Sequence, residues 1–408
     1  MIKLTVYKCK NSIVYLCNQQ HLEMQIETLK TLFKEHKEES LFNRYITLEN
    51  IEPLLNNLAL KCQVLEIGKS VLNKNIYSIS IGSGEKKVLI WSQMHGNEST
   101  TTKAVFDLLN FLISDNDKAK AILKTCTIQI IPILNPDGAE AYTRLNANDV
   151  DLNRDAQNLT QPESVVLNDC FKRFNPDFCY NLHGQRTIFS AGKANKSATV
   201  SFLAPAQDAN GTIIPNRKRA MELIAVMNNN LQQQIPNQVG VYDDSFNINC
   251  VGDTFQSHNV PTMLFEAGHF KDDYAREITR EYIFQSLLIS LNYIAENAVS
   301  GDLYSSYLDI PENQKLFYDI IIRKARVEGV SGFVDIAIQY EERLNLGEIE
   351  FIPKVEKLTE ANAFYAHKEI KANGTFVYTV ENEPVFEGYQ NDVVLMNDEE
   401  LSLKLTKD

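Results

Sequence analysis

The 408-residue sequence has little of what builds a secreted, membrane-bound or nucleic-acid-binding protein. Its seven cysteines, at 9, 17, 62, 126, 170, 179 and 250, include no Cys-x-x-Cys pair. An odd, dispersed set in a chain this long argues against a disulfide framework and for reduced thiols. No apolar run approaches the roughly 18 residues needed to span a bilayer, so no membrane partner is expected. The opening stretch MIKLTVYKCKNSIVYLCNQQ has IVYLC as its longest apolar run. That is shorter than the roughly 7–15 residues of a secretory leader core, and no small-residue cleavage site follows. A cytoplasmic location is the expectation. Positive charge is also short, with 40 Lys and Arg against 53 Asp and Glu and a net charge of −13. An acidic surface repels phosphate, which disfavours nucleic acid as a partner. The one basic cluster, Arg217, Lys218 and Arg219, opens an apparent helix and is expected on a solvated face.

What is present is an ordinary globular balance, 44% hydrophobic and 23% charged. Residues 1–60 read as a helical, peripheral extension, with Leu22, Ile26, Leu29, Leu32 and Phe33 at helical spacing. Over 61–300, β-like runs such as KKVLIWSQM, CTIQIIPIL, PDFCYNLHG and VPTMLFEAGH alternate with helical segments. This alternation predicts a largely parallel sheet covered by helices on both faces, an α/β domain. From 301 to 408 the texture changes to short strands separated by Gly, Asn and Pro, which predicts a small all-β domain.

Ligands of open α/β sheets bind beyond the carboxyl ends of the strands. The residues that carry chemistry collect at such ends. His95 and Glu98 follow KKVLIWSQM, NPDG follows CTIQIIPIL, His183 ends DFCYNL, and Glu266 ends PTMLF. Catalytic zinc commonly takes three ligands from His, Glu and Asp and keeps a position for water. His95, Glu98 and His183 would be such a set, though a lone H-x-x-E recurs by chance and His183 could equally be a hydrogen-bonded strand-end histidine. Glu266 is either a general base or a buried carboxylate paired with an arginine. His269 competes as a ligand, as does His258, which is expected on a solvated helix end. The stretch NPDGAEAYTRLNANDVDLNRD supplies Arg144, Asn153 and Arg154 on an irregular segment. Arginine suits carboxylate recognition because its planar fork bonds both oxygens; the alternative is a salt-bridged surface loop.

In this order, HGNE, NPDG, R-x-N-A-N-x-V-D-L-N-R, LHG and FEAG resemble the motifs of the zinc carboxypeptidases, the carboxypeptidase A-like metallopeptidases, over roughly residues 60–300. The resemblance implies that family's mixed α/β fold and one Zn²⁺ held by His95, Glu98 and His183. It implies Glu266 as general base, Arg144 polarising the scissile carbonyl, and Asn153 and Arg154 holding the substrate's terminal carboxylate. Tyr242 would be the mobile tyrosine of the family. The implied activity is removal of a C-terminal residue from a peptide. Gly96 and Asn97 depart from the digestive members, which have an arginine within H-x-x-E. In that respect HGNE is closer to bacterial carboxypeptidases, murein-peptide amidases and the aspartoacylase and succinylglutamate desuccinylase enzymes. A small acylated amino acid is therefore the alternative substrate. Val251, Asp253 and Thr254 are candidates for the lining of the side-chain pocket. The sequence leaves the oligomeric state open.

Overall fold

The computed structural model describes residues 24–405; Cys9, Cys17, Leu22 and the opening apolar run lie outside the described residues. Helices α1 (Ile26–His36) and α2 (Leu48–Leu58) come first. Strands β1 (Gln63–Lys69), β2 (Asn75–Gly82) and β3 (Lys86–Ser92) lead to α3 (Thr100–Leu112), α4 (Asp117–Thr125), β4 (Cys126–Ile131) and α5 (Pro136–Ala141). Then follow α6 (Pro162–Phe174), β5 (Phe178–Gly184), β6 (Phe189–Ala191), β7 (Val200–Leu203), α7 (Pro215–Gln232) and β8 (Val239–Val241). Helix α8 (Val251–Ser257), β9 (Thr262–Ala267) and α9 (Glu277–Glu296) complete the α/β part.

Eight strands form one mixed sheet in the order β1-β2-β4-β3-β5-β9-β7-β8. Its centre, β4-β3-β5-β9, is parallel throughout, while β1, β2 and β7 join antiparallel. A pleated strand sends alternate side chains to opposite faces, and a strand covered on both faces must be apolar throughout. In β3, Val88 and Ile90 enter the larger core with α1, α2, α3, α7 and α9, whereas Leu89 and Trp91 enter a smaller one with α6 and α8. Helices thus cover both faces, and truncating a fully buried Leu108 to alanine should cost about 2–5 kcal/mol.

The N-terminal helices are not peripheral. The Leu29, Leu32 and Phe33 stripe of α1 is buried in the main core. Arg280 of α9 grips Asp107 of α3 with two hydrogen bonds of 2.7 and 2.6 Å and donates to the carbonyls of Leu41 and Glu38. Periodicity reveals that a helix has an apolar face, but not that two later helices will cover it. Arg217 likewise departs from the expected solvated face. It is buried, donates to the carbonyls of Ala204 and Gly211, and pairs with Asp244. A long guanidinium can be buried when every donor direction meets an acceptor.

After α9, Tyr307 and Ile310 still pack into the main core. Strand β10 (Asn313–Lys315) pairs with β6, tying the C-terminal region to the α/β part. Strands β11 (Phe317–Ala325), β12 (Val334–Asn345), β13 (Glu348–Thr359) and β14 (Tyr365–Lys371) form a four-stranded sheet in the order β13-β12-β11-β14. A smaller sheet contains β15 (Val377–Tyr378), β16 (Val393–Met396) and β17 (Glu399–Ser402), and the two sheets share an apolar core of their own. Among the described residues no helix is long and apolar enough to cross a membrane. The five described cysteines are unpaired.

Candidate metal and active site

The chain leaves β3 with β4 on one side and β5 on the other, so a crevice opens beyond the carboxyl ends of these strands. Hydroxyls fix the loop between β3 and α3. Ser92 Oγ lies 2.8 and 2.9 Å from the hydroxyls of Thr101 and Thr102, and Gln93 Nε2 donates to the Gly96 carbonyl at 2.8 Å. The NPDG turn packs against this loop. A Cβ on Gly96 would fall onto the backbone of Gly138, and Asn135 donates to the carbonyls of Met94 and Leu145. The departure at Gly96 therefore has a steric reason, and NPDG serves as a buttress.

This bracing brings His95 and Glu98 to His183 at the end of β5. Glu98 Oε1 lies 3.0 Å from His95 Nδ1, and Oε2 lies 3.0 Å from His183 Nδ1. The two Nδ1 atoms are 3.1 Å apart, and both histidines are buried. One candidate ligand atom from each residue falls within 4.8 Å of the others. Two imidazole nitrogens and a carboxylate converging so closely present lone pairs that one shared proton cannot satisfy, and a cation can. On the far side of His95, Nε2 meets Asp151 Oδ1 at 3.1 Å. A carboxylate there holds Nε2 protonated, leaves Nδ1 as the ligating atom and makes it more basic. Despite burial, Glu98 and Asp151 hold His95 above its usual pKa. Burial lowers that of His183.

Glu266 is the register partner of His183 on the neighbouring strand. It is half-buried and lines the cavity; its Oε2 has no hydrogen-bond partner. Burial, and next the charge of Glu98, push its pKa well above the ordinary carboxyl value. The arginine pairing considered from sequence does not occur among the described residues. Arg144 lies exposed over the site, bonded to Asp151 Oδ2 at 3.2 and 3.1 Å and 3.4 Å from Glu98 Oε1. Asn153 is buried and accepts from the Val251 amide at 3.1 Å, while the exposed Arg154 donates to the Asn153 carbonyl at 2.9 Å. The Tyr242 ring rests 5.3 Å from that of Phe189. A cavity of about 720 Å³ is lined by all eight of these residues, within the usual size range of small-ligand sites.

The competing histidines lie elsewhere. His258 caps α8 against Phe171, and His269 is buried between Tyr274 and His367, with ring centroids at 4.7 and 4.3 Å. Of the three candidate pocket residues only Asp253 lines the cavity. Val251 packs into the smaller core, and the Thr254 hydroxyl bonds the Ile248 carbonyl. The segment forms a helix, and a helix turns neighbouring positions to different sides.

Sequence reasoning missed two supports. Asp151 orients both His95 and Arg144, and its signal was the VDLNR stretch itself. Arg276, fully buried, donates from Nη1 to the carbonyls of Ala267 and Gly268 and from Nη2 to that of Gln185 at 3.0 Å. It clamps the backbone just after Glu266 and just after His183. No local pattern announces such a contact.

Residues 51–184 match the zinc carboxypeptidase family, a span that holds His95, Glu98, Arg144, Asn153, Arg154 and His183. That match covers less than half of the chain, and the mixed α/β fold is shared with solved carboxypeptidases. It is 31% identical over 110 residues to carboxypeptidase 2 of Trichophyton tonsurans, covering 26% of this chain and 20% of that protein. It is 28% identical over 177 residues to mouse carboxypeptidase M, covering 36% and 40%. The alignments thus span only a minor part of these relatives. Carboxypeptidase A of Helicoverpa armigera shares the fold with a TM-score of 0.50 at 16% identity, over 67% of this chain and 81% of that one. A candidate carboxypeptidase A of Shewanella denitrificans gives 0.52 at 19%, over 60% and 68%.

Proposed function

We propose that the protein is a zinc-dependent metallocarboxypeptidase that hydrolyses the C-terminal peptide bond of peptides. The observation that carries this reading is the convergence of both Nδ1 atoms and the Glu98 carboxylate beside Glu266, in a cavity shared with Arg144, Asn153 and Arg154. Zn²⁺ held by His95, Glu98 and His183 would supply a Lewis acid and lower the pKa of water. Glu266 accepts the proton of the attacking water and returns it to the leaving nitrogen; its raised pKa favours keeping that proton until transfer. Arg144 donates to the carbonyl oxygen as negative charge develops there, while Asp151 holds its guanidinium in place. Asn153 and Arg154 bind the terminal carboxylate, and Tyr242 closes over it. The substrate pocket beside them includes Asp253, whose carboxyl burial pushes up to about 6.

The second reading is hydrolysis of small N-acyl amino acids or, as a further alternative, of a murein-peptide amide bond. It is supported by the departure from the digestive pattern at Gly96 and Asn97, and the C-terminal sheet adds Gln339, Tyr340, Glu341 and Glu342 to the cavity wall. The test is a panel of blocked dipeptides, N-acetyl-aspartate and succinyl-glutamate, assayed with zinc and again after chelation. Zinc-dependent cleavage of the dipeptides alone supports the first reading. Cleavage of the acyl amino acids alone replaces it with the second.

A further inference from the structure

Besides the histidine–glutamate cluster, the cavity is lined by two further groups of residues, here called its ends. At one are Asn153, Arg154 and Asp253; at the other are Gln185–Thr187 and the C-terminal sheet. If the first end holds the leaving residue, as in the reading above, the second holds the acyl half of the substrate. The acids and the arginines at this second end differ in how fully they are bonded. Glu342 accepts from Arg44 at 2.9 Å and Tyr142 at 2.5 Å. Glu341 accepts from Arg343 at 3.1 Å and Gln390 at 2.6 Å. Asp319 is buried and accepts from Gln339, the Tyr274 hydroxyl and the Tyr340 amide. Every acid here is engaged.

The arginines at the same end have donors to spare. Arg186 is exposed, lines the cavity, and makes no hydrogen bond or ion pair among the described residues. Arg276 is fully buried and bonds only backbone carbonyls, and its Nε has no partner. Arg44 is 93% buried by its 7% exposure, and its Nη1 also lacks a partner. Arg276 holds the carbonyl of Gln185, while Thr187 is bonded to Gln339. The backbone that presents Arg186 is therefore pinned from both sides.

We infer that this end is a carboxylate subsite. Arg186 receives a carboxylate on the acyl half of the substrate, and Arg276, whose bonds are all to neutral carbonyls, adds positive charge behind it. Preferred substrates then carry either an acidic residue before the scissile bond or a dicarboxylic acyl group. This inference rests on the orientation of substrate adopted above.

The test uses the full zinc-loaded chain and one fixed C-terminal residue. Acetyl-Glu is compared with acetyl-Gln as the acyl half, and succinyl with butyryl. A charge-assisted contact predicts kcat/KM on the order of tenfold higher for the acidic member, with the ratio falling to near one in Arg186→Gln. A preference in the first pair identifies an acidic residue as the source, and in the second a dicarboxylic acyl group. A wild-type ratio of one in both pairs, or a preference that survives Arg186→Gln, overturns the proposal. Calorimetric titration with N-acetylglutamate and N-acetylglutamine decides it independently of turnover. If no substrate is cleaved, the peptidase reading fails. Even then, tighter N-acetylglutamate binding that depends on Arg186 upholds the carboxylate subsite, and equal binding removes it.

Discussion

The two ends of the cleft are built from different materials. The end with Arg154 is largely loop: Asp243–Asn249 has no regular structure and is tied at Asp244 by Arg217, and Arg154 is exposed with a single bond to its neighbour's carbonyl. The end with Arg44 and Arg276 is held by the Arg44–Glu342 ion pair, by the bonds of Arg276 to three carbonyls and by strand β12, locked to the α/β part through Glu342 and Gln339. Loops can adapt to a ligand at small energetic cost, whereas buried charges resist movement because every displaced donor must find a new acceptor. One end can close over what it binds, while the other presents a surface already set.

The strongest way to probe this contrast is at its midpoint. Glu266→Gln should lower turnover on the order of 10²–10⁴-fold for every substrate, whichever end it fills, while metal analysis still finds zinc. Near wild-type turnover would remove Glu266 as the base. At the preset end, Glu342→Gln strands Arg44 and should cost about 3 kcal/mol in denaturant unfolding, since the partner is nearly buried. At the adaptable end, Arg154→Gln should leave stability within about 0.5 kcal/mol and instead raise KM. If the two variants are equally destabilised, the contrast between the ends is wrong. Asp151→Asn should weaken zinc retention or activity about 10–100-fold, read by competition with a chelator, because His95 loses its orienting carboxylate. The smallest effect lies outside both ends. Leu346 and Gly347 join β12 to β13 with φ of 49° and 82°, and Leu346 is 99% exposed. Leu346→Asn should stabilise by up to about 1 kcal/mol, because a two-residue hairpin turn with both φ positive suits Asn-Gly. Unchanged or reduced stability would refute that account of the turn.

Much of the site was legible because chemistry concentrates at strand ends, and strand ends can be read from apolar runs. His183 and Glu266 each close such a run, and the structure makes them register partners. His95 and Glu98 stood out by spacing alone, but their convergence depends on Gly96, Asn135 and the threonine hydroxyls, which act over longer range. Asp151 sat inside a stretch already singled out, yet its role depends on which side of His95 it reaches. Arg186 and Arg276 carry no local signal, since their surroundings come from a separate sheet and from strand ends far away in sequence. The misplacement of Val251 and Thr254 had another cause: they lie on helix α8, whose phase turns only Asp253 of the three toward the cavity.

Arg276 has one more consequence. By holding the carbonyls that follow both Glu266 and His183, it makes the proposed proton acceptor and a proposed metal ligand parts of one rigid unit. Their spacing is then insulated from whatever happens at the mouth of the cleft. A rearrangement of the loop Asp243–Asn249 would then leave the spacing of Glu266 and His183 unchanged.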